Sequence, residues 1–327
     1  MKDKKIFTYI ILGLCGIFLI MPFAWMLSTS VKSQLEINKG NTGFIPYIED
    51  DFIDLMGDGE LLRCKILKPE GDSLWVNIFD EEGSIVTSYL KVPASAVTHK
   101  KSVKFFFSNF VEAWKKVPFG RYFLNTVFVS CTCVFGILVT GCLAAYAFAR
   151  MKFYGKEILF YLFISMMMVP QPVYMIPSYI LLHKFGWLDT YYALIIPWLT
   201  NIFTIFLLRQ QFKSLPQELF DAASIDGCSR FGALWRIVLP LSKGVIATAA
   251  IFAFIGSWNS FMWPLVMIDN PKLRVLQVGL SYFSAEASSQ TALLMAASTF
   301  SILPLVVLFL FAQKQIMASF VSSGLKG

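Results

Sequence analysis

Residues 209–243 read RQQFKSLPQELFDAASIDGCSRFGALWRIVLPLSK. The run is too polar to cross a bilayer and too patterned to be a plain linker. Ser214-Leu215-Pro216-Gln217 has the form of a helix start: Ser214 can cap, Gln217 can reciprocate, and Pro216 suits the first turn. A short helix is expected over Glu218–Ile225, with Gly227 placed to end it in a left-handed conformation. A second helix, Ser229–Leu239, should stop at Pro240. On physical grounds alone, such a helix–turn–helix reads equally well as a surface element lying at a membrane boundary.

What flanks this run follows from composition. The chain has 327 residues, 56% of them hydrophobic and 15% charged, and its mean hydropathy is +0.63. A soluble domain is typically about 45–50% apolar and about 25% charged, so a single water-soluble globule is a poor reading. A bilayer core about 30 Å thick takes roughly 20 apolar residues of helix. Six runs qualify: Ile6–Leu27, Phe123–Phe148, Ile158–Leu182, Tyr191–Leu208, Val245–Ile268 and Ala292–Phe311. The first follows a basic start and also suits a signal peptide. Its apolar run exceeds the usual core of about 7–15 residues and has no clear cleavage site, so it reads as a retained anchor. Pro170, Pro172, Pro177, Pro197, Pro264 and Pro304 fall inside spans, where neighbouring helices can re-satisfy the freed carbonyls. None of the six runs carries a Lys, Arg, Asp or Glu, which argues against a proton- or ion-coupled carrier.

Charge gives an orientation. The net charge is +7, with basic residues scattered rather than massed in one stripe, which argues against nucleic-acid binding. Lys2, Lys4, Lys5, Arg150, Lys152, Lys156, Arg209, Lys213, Arg230, Arg236, Lys243, Lys314 and Lys326 fall on one side of the six-span arrangement. The opposite short loops hold Lys184, Lys272 and Arg274. That bias places both termini in the cytoplasm of a multi-pass protein of a prokaryotic cell membrane, in contact with lipid. Six dispersed cysteines, His99 and His183 offer no familiar metal-ligand spacing.

The first outside loop is long. Residues 29–120 are expected to form an extracytoplasmic insert, following the N-terminal span in residues 1–28 and preceding the five-span core in residues 121–327. After an acidic start (Glu49, Asp50, Asp51, Asp54, Asp58, Glu60), three strands are expected at Leu61–Leu67, Ser73–Phe79 and Ser84–Val92. Turns at Pro69–Asp72 and Asp80–Gly83 divide them, which suggests an antiparallel meander or small barrel over about 60–98. The insert reads either as a plain insertion or as a docking surface for an extracellular partner. Cys64 reads as a small apolar filler.

The loop at 209–243 resembles the signature of the membrane subunits of binding-protein-dependent ABC importers. That signature runs Glu-Ala-Ala, three residues, Gly, nine residues, Ile, one residue, Leu-Pro. Here it is Asp221-Ala222-Ala223, then Gly227, Ile237 and Leu239-Pro240, with every interval kept and Asp in place of Glu. Pro216, Glu218, Leu219, Asp226 and Phe231 fit its extended form. Asn125-Thr126, Pro170-Gln171, Ile176-Pro177, Trp258-Asn259-Ser260-Phe261 and the terminal Gly324-Leu325-Lys326-Gly327 are similar to the carbohydrate branch. The maltose permeases of that branch lack the insert.

The resemblance implies an all-α polytopic protein of six transmembrane helices, with the small β-rich insert between helices 1 and 2. It implies a permease subunit for a sugar or oligosaccharide, paired with a second permease subunit and two ATPase subunits. An extracytoplasmic solute-binding protein would feed the pair. The chain has no phosphate-cradling Gly-x-x-x-x-Gly-Lys-Ser/Thr loop, so ATP and Mg belong to the partner ATPases and no cofactor or catalytic residue is expected here. In the coupling loop, Leu219, Phe220, Ala222 and Ala223 would supply apolar contact to the ATPase. Glu218, Asp221 and Asp226 would anchor it, Gly227 would turn it, and Ile237, Leu239 and Pro240 would complete it. Gln171, Asn201, Trp258 and Asn259 are substrate-path candidates, each equally readable as interhelical packing. Gln277, Tyr282 and Phe283 correspond to a segment that reaches toward the binding protein. Two other readings stay open: an importer for a peptide or polyamine, and a membrane receptor sensing through the insert.

Overall fold

A computed structural model describes residues 2–54, 61–79, 85–286 and 290–324. The chain divides into two compact units, Met1–Ala113 with Ala287–Thr299, and Trp114–Glu286 with Phe300–Gly327.

The first unit opens with α1 (Lys2–Ser30), one helix that contains the expected first span and carries Pro22 inside it. Its apolar side chains are exposed along most of its length, as suits a helix solvated by lipid. Helix α2 (Gln34–Asn38) is capped by Ser33, whose hydroxyl accepts from the Glu36 amide. Five strands follow: β1 (Tyr47–Asp54), β2 (Leu61–Glu70), β3 (Ser73–Phe79), β4 (Ile85–Pro93) and β5 (Val97–Val103). They form one antiparallel sheet in the order β4-β3-β2-β1-β5, with a 3-10 turn at Ala94–Ala96 leading into β5. Ile53, Cys64, Val76, Ile78, Val92 and Val97 make its core. Burial pushes the Cys64 thiol up to about 11, in keeping with a small apolar filler.

The three strands expected from the sequence are β2, β3 and β4, which form one side of this sheet with β4 at its edge, and the sheet's bounds are wider than 60–98. The acidic start, which the sequence places ahead of the expected strands, is itself β1 from Glu49 to Asp54, because β5 lies opposite with the complementary charges. Glu49 faces Lys101 and Asp50 faces Lys100. Glu49 pairs with Lys39 at 3.0 Å and Lys101 at 3.3 Å, and Asp50 with Arg63 at 2.6 Å. Opposite charges across strands stabilise a pairing that either strand alone would not suggest. The expected turn at 80–83, Asp58, Glu60 and the terminal 325–327 lie outside the described residues.

Helix α3 (Ser108–Lys116) leads to α4 (Phe119–Arg150), a 32-residue helix. Then come α5 (Lys156–Met166), α6 (Gln171–Lys184), α7 (Tyr191–Ile195), α8 (Ile202–Ser214), α9 (Glu218–Ile225) and α10 (Arg230–Ala233). A π-helical turn at Leu234–Val238 leads into α11 (Leu239–Leu241). The chain ends with α12 (Lys243–Trp258), α13 (Met262–Met267), α14 (Leu276–Glu286) and α15 (Thr291–Gly324).

Among the described residues, Lys5–Ser30, Phe119–Arg150, Tyr191–Ser214 and Thr291–Gln313 are long and apolar enough to cross a membrane. Two bent pairs could add two more. The expected span Ile158–Leu182, with its internal prolines, is α5 and α6 meeting at 102°, because the residue before Pro170 is driven out of the helical region. The expected stop at Pro240 is also corrected. The helix continues to Leu241 and bends by 83° before α12. The turn ahead of Pro240 widens instead, with the Leu239 N–H reaching the Leu234 carbonyl, which makes room for a ring that would otherwise strike the preceding carbonyl.

In lipid, helices gain little from hydrophobic burial and associate through close packing of small residues. Helix α4 shows this against the Leu199–Thr204 region. A Cβ on Gly136 would collide with Leu199 Cδ2, and one on Gly141 would sit 3.0 Å from Thr204 Cγ2. Beyond Gly141, Ala145, Phe148, Leu208, Phe212, Leu234 and Val238 form a buried cluster that reaches the 209–243 loop.

Candidate functional site

Helix α9 is the centre of that loop. Its end forms as the sequence predicts: Gly227 has φ +73°, the Cys228 N–H reaches the Ala223 carbonyl at 2.8 Å, and the Gly227 N–H reaches that of Ser224 at 3.1 Å. Those two bonds satisfy carbonyls that a helix end otherwise strands. Its start differs. Ser214 is the last residue of α8, and its hydroxyl donates to the Gln211 carbonyl instead of capping α9. Gln217 donates from its amide to Asp221 Oδ1 at 3.0 Å.

Arg150, at the end of α4, holds the loop in place. Its Nε donates to the Phe212 carbonyl at 2.9 Å, Nη1 donates to Gln217 Oε1 at 3.0 Å, and Nη2 donates to the Leu215 carbonyl. The guanidinium also lies 4.1 Å over the Phe220 ring. A planar fork holds its donors on three separate nitrogens and so reaches three spread acceptors in fixed directions, whereas the three donors of a lysine radiate from one atom. The chain Arg150–Gln217–Asp221 therefore ties a long helix to the loop helix.

This anchoring sorts the residues of α9 into two faces. Phe220 and Ala223 turn toward Arg150 and line a pocket of about 410 Å³ with Tyr146 and Arg230. Leu219 and Ala222 face outward with Glu218, Asp221, Asp226 and Gly227. Ile225, one turn on, is 87% exposed. Leu219, Ala222 and Ile225 at three-residue spacing make an apolar outer stripe flanked by carboxylates. In the second segment, Ile237 and Leu239 are half-buried and Pro240 is exposed.

Arg209 supports the same region from α8. The side chain is only 5% exposed and donates to both carboxylate oxygens of Glu157, at 2.8 and 2.7 Å, and to the Phe148 carbonyl at 3.2 Å. Its guanidinium lies 3.8 Å over Phe160. A buried guanidinium needs such a complete set of partners.

The opposite end of α4 is fastened by Asn125. Its amide nitrogen donates to the carbonyls of Lys272 and Arg274, both at 2.9 Å, and its oxygen accepts from the Tyr191 hydroxyl at 2.8 Å. The Thr126 hydroxyl accepts from the Leu276 amide at 2.7 Å, which fixes the start of α14. On α14, Tyr282 is exposed with Arg274 4.0 Å over its ring. Phe283 is fully buried and packs edge-on against Phe119 at 6.0 Å, so its ring offers no surface to a partner in this conformation. Gln277 donates to Ser301 Oγ at 3.2 Å and to Asn259 Oδ1 at 3.4 Å.

The four substrate-path candidates separate in the same way. Trp258 is 1% exposed and its Nε1 donates to the Ser301 carbonyl at 3.0 Å; it is a packing residue in this conformation. Asn259 is exposed and its amide donates to the Ile255 carbonyl at 3.0 Å, on the last turn of α12. Gln171 is the half-buried first residue of α6. Asn201 caps α8, accepting from the Thr204 amide at 2.8 Å, and lines a cavity of about 170 Å³. Gln171, at the start of α6, is not among the residues lining it.

Residues 137–320 match the family described as the binding-protein-dependent transport system inner membrane component. The chain belongs to this family. The match takes in the whole anchored loop, and this permease subunit is therefore a multi-pass membrane protein. It is similar to the arabinooligosaccharides transport system permease protein AraQ of Halalkalibacterium halodurans, 34% identical over 64% of this chain and 75% of that one. A putative ABC transporter permease protein ORF2 of Caldicellulosiruptor sp. is 30% identical over 100% of this permease and 98% of its own length, so that alignment includes the β-rich region. A solved bacterial ABC transporter involved in the import of the acidic polysaccharide alginate matches with TM-score 0.69 and 20% identity. The match covers 96% of each chain and shows that the permease shares its fold.

Arg150, Arg209 and Ile225 are the residues that sequence reasoning passed over. The two arginines entered only as topology charges. Their partners Phe212 and Glu157 lie 62 and 52 residues away in the chain, and no local pattern signals them. Ile225 could have been found from its three-residue spacing to Ala222 and Leu219.

Proposed function

We propose that this chain is a membrane-spanning subunit of an ABC importer that moves a sugar or oligosaccharide across a prokaryotic cell membrane. The two bent helix pairs would bring the spans to six, with both termini in the cytoplasm. A second permease subunit would complete the path, and an extracytoplasmic binding protein would deliver the solute. Two ATPase subunits would hold ATP and Mg and hydrolyse the nucleotide. The arabinooligosaccharide and alginate importers among the relatives favour a saccharide over a peptide or polyamine.

One observation carries the coupling role: α9 presents an apolar and acidic face outward while Arg150 grips its inner face. An ATPase seated on Leu219, Ala222, Ile225 and their flanking carboxylates would push on a helix fastened to α4. The 32 residues of α4 rise about 48 Å, and its other end holds the loop at Lys272–Leu276 through Asn125 and Thr126. A rigid-body shift of α9 would therefore reach the opposite end of the second unit through one rod, biasing a two-state equilibrium as ATP binds and leaves. Gln277 and Tyr282 lie just beyond that loop and are the α14 residues best placed to meet the binding protein.

The test is uptake by the full transporter, reconstituted with its binding protein and given labelled arabino- and gluco-oligosaccharides, peptides and polyamines in turn. ATP-dependent accumulation of a saccharide is expected. Accumulation of a peptide or polyamine with no saccharide would overturn the substrate class.

A further inference from the structure

The cavity at Asn201 sits where two apolar runs are both interrupted. Between α7 and α8 the chain passes through a 3-10 turn at Ile196–Trp198 and irregular backbone to Asn201. Between α12 and α13 it leaves the helix after Trp258 and resumes at Met262. Non-helical backbone at membrane depth is tolerated only where protein buries it or a cavity receives it. Paired helix breaks that converge on one space are the usual construction of a polar ligand site in a transporter.

The lining suits that use. Asn201, Ser257 and Ser260 bring an amide and two hydroxyls, and Trp198 and Trp263 stand edge to face, 5.2 Å apart, as an aromatic wall. The helix cap uses the amide oxygen of Asn201 and leaves its NH2 as a donor. Trp263 is stapled by its own N–H to the Ala193 carbonyl at 2.9 Å, so the wall is held rigid. At about 170 Å³ the space is below the roughly 300 Å³ at which drug-sized pockets begin, so it fits one sugar ring and not a chain.

We propose that this cavity is a single-residue sugar subsite on the path through this subunit. Asn201, Ser257 and Ser260 hydrogen-bond ring hydroxyls there, and the two indoles wall the ring. The inference rests on the saccharide-importer reading and adds that this chain touches the substrate itself.

Gly256 provides the test. It lines the cavity, and a Cβ built on it meets nothing within 4 Å, so a larger side chain grows into empty space. In the assembled transporter, fed by its binding protein with the labelled saccharide that protein retains, uptake per ATP hydrolysed should fall in the order Gly256→Ala, Gly256→Leu. The leucine variant should lose at least tenfold. Ser260→Ala, which adds no bulk, should cost at least threefold at sub-saturating saccharide and decides the matter where the leucine variant does not assemble. Uptake per ATP within twofold of the parent in every assembled variant would overturn the subsite while leaving the importer reading intact. A parent complex that accumulates peptide and no saccharide would instead overturn the importer reading on which the subsite rests.

Discussion

Arg150 lies 4.1 Å over the ring of Phe220 while its three nitrogens donate to the Phe212 and Leu215 carbonyls and to Gln217. One side chain thus fastens the end of α4 to the start and inner face of α9. Arg150→Ala removes three charge-assisted hydrogen bonds, each worth about 1.5–3 kcal/mol net, and a cation–π contact of about 1 kcal/mol. The expected outcome is a chain that still inserts in the membrane but loses at least tenfold of ATP-driven uptake. Arg150→Lys should recover little, because the acceptors are met by three separate nitrogens and a lysine has its donors on one. Uptake assays normalised to membrane abundance check both.

Gly227 tests the turn separately from the contacts. Its φ is +73°, and an added Cβ would meet no atom within 4 Å. A substitution there is charged for backbone strain alone, about 1–2 kcal/mol for a β-branched residue. Gly227→Val should lower uptake several-fold, and Gly227→Asn should retain most of it, since asparagine tolerates this region. Equal loss in both would point to a side-chain clash with the ATPase.

Arg209 and Glu157 form a pair in which one partner is buried and the other is about half exposed. Removing one member of a fully buried pair costs about 3–5 kcal/mol. Here Arg209→Ala leaves behind a carboxylate that water can reach, so about 2 kcal/mol is the better expectation. Glu157→Gln strands the buried guanidinium, and the double variant should be less costly than the two single changes added together. Thermal unfolding of the purified complex measures all three.

The sheet of the first unit should weaken in acid. Hydrogen bonds from Lys39 and Lys101 hold the Glu49 carboxyl below its ordinary value of 4.5. Trp75 and Lys91 hold Glu70 below the same value. A lowered folded value means that these groups stabilise the sheet above pH 4.5 and that the stabilisation is lost as pH falls through the folded values. Protection of the β1 and β5 amides, taken relative to their intrinsic exchange at each pH, should fall on acidification, and Glu49→Gln should remove much of that pH dependence. A flat profile in the parent protein contradicts the pairing.

How much of this could be read from the chain depends on how local each signal is. Helix α9 and its end at Gly227 were legible because the cap is written within seven residues. Strands β2 to β4 were legible from alternation and the Gly71 turn. Strand β1 was hidden: its carboxylates show no strand pattern of their own, and β5 supplies Lys100 and Lys101 across the ladder only in the fold. The breaks at Pro170 and Pro240 were marked by proline, yet a proline alone does not say whether a helix kinks, stops or widens to a π-turn. Trp258, a substrate-path candidate, and Phe283, a binding-protein candidate, are both buried, held by Ser301 and Phe119 from far along the chain. The Arg150 and Arg209 contacts depend wholly on which helices the bundle brings together.

The most direct measurement compares ATP hydrolysis with saccharide uptake in proteoliposomes that hold the complete transporter, either parental or carrying Ala223→Asp. Ala223 is buried on the inner face of α9, beside Phe220 in the pocket that Arg150 also lines, so a carboxylate there disturbs the grip without touching the outer stripe. The coupling role of α9 predicts a complex that assembles and hydrolyses ATP while uptake falls to background. Uptake that keeps pace with hydrolysis in the Ala223→Asp complex would contradict it.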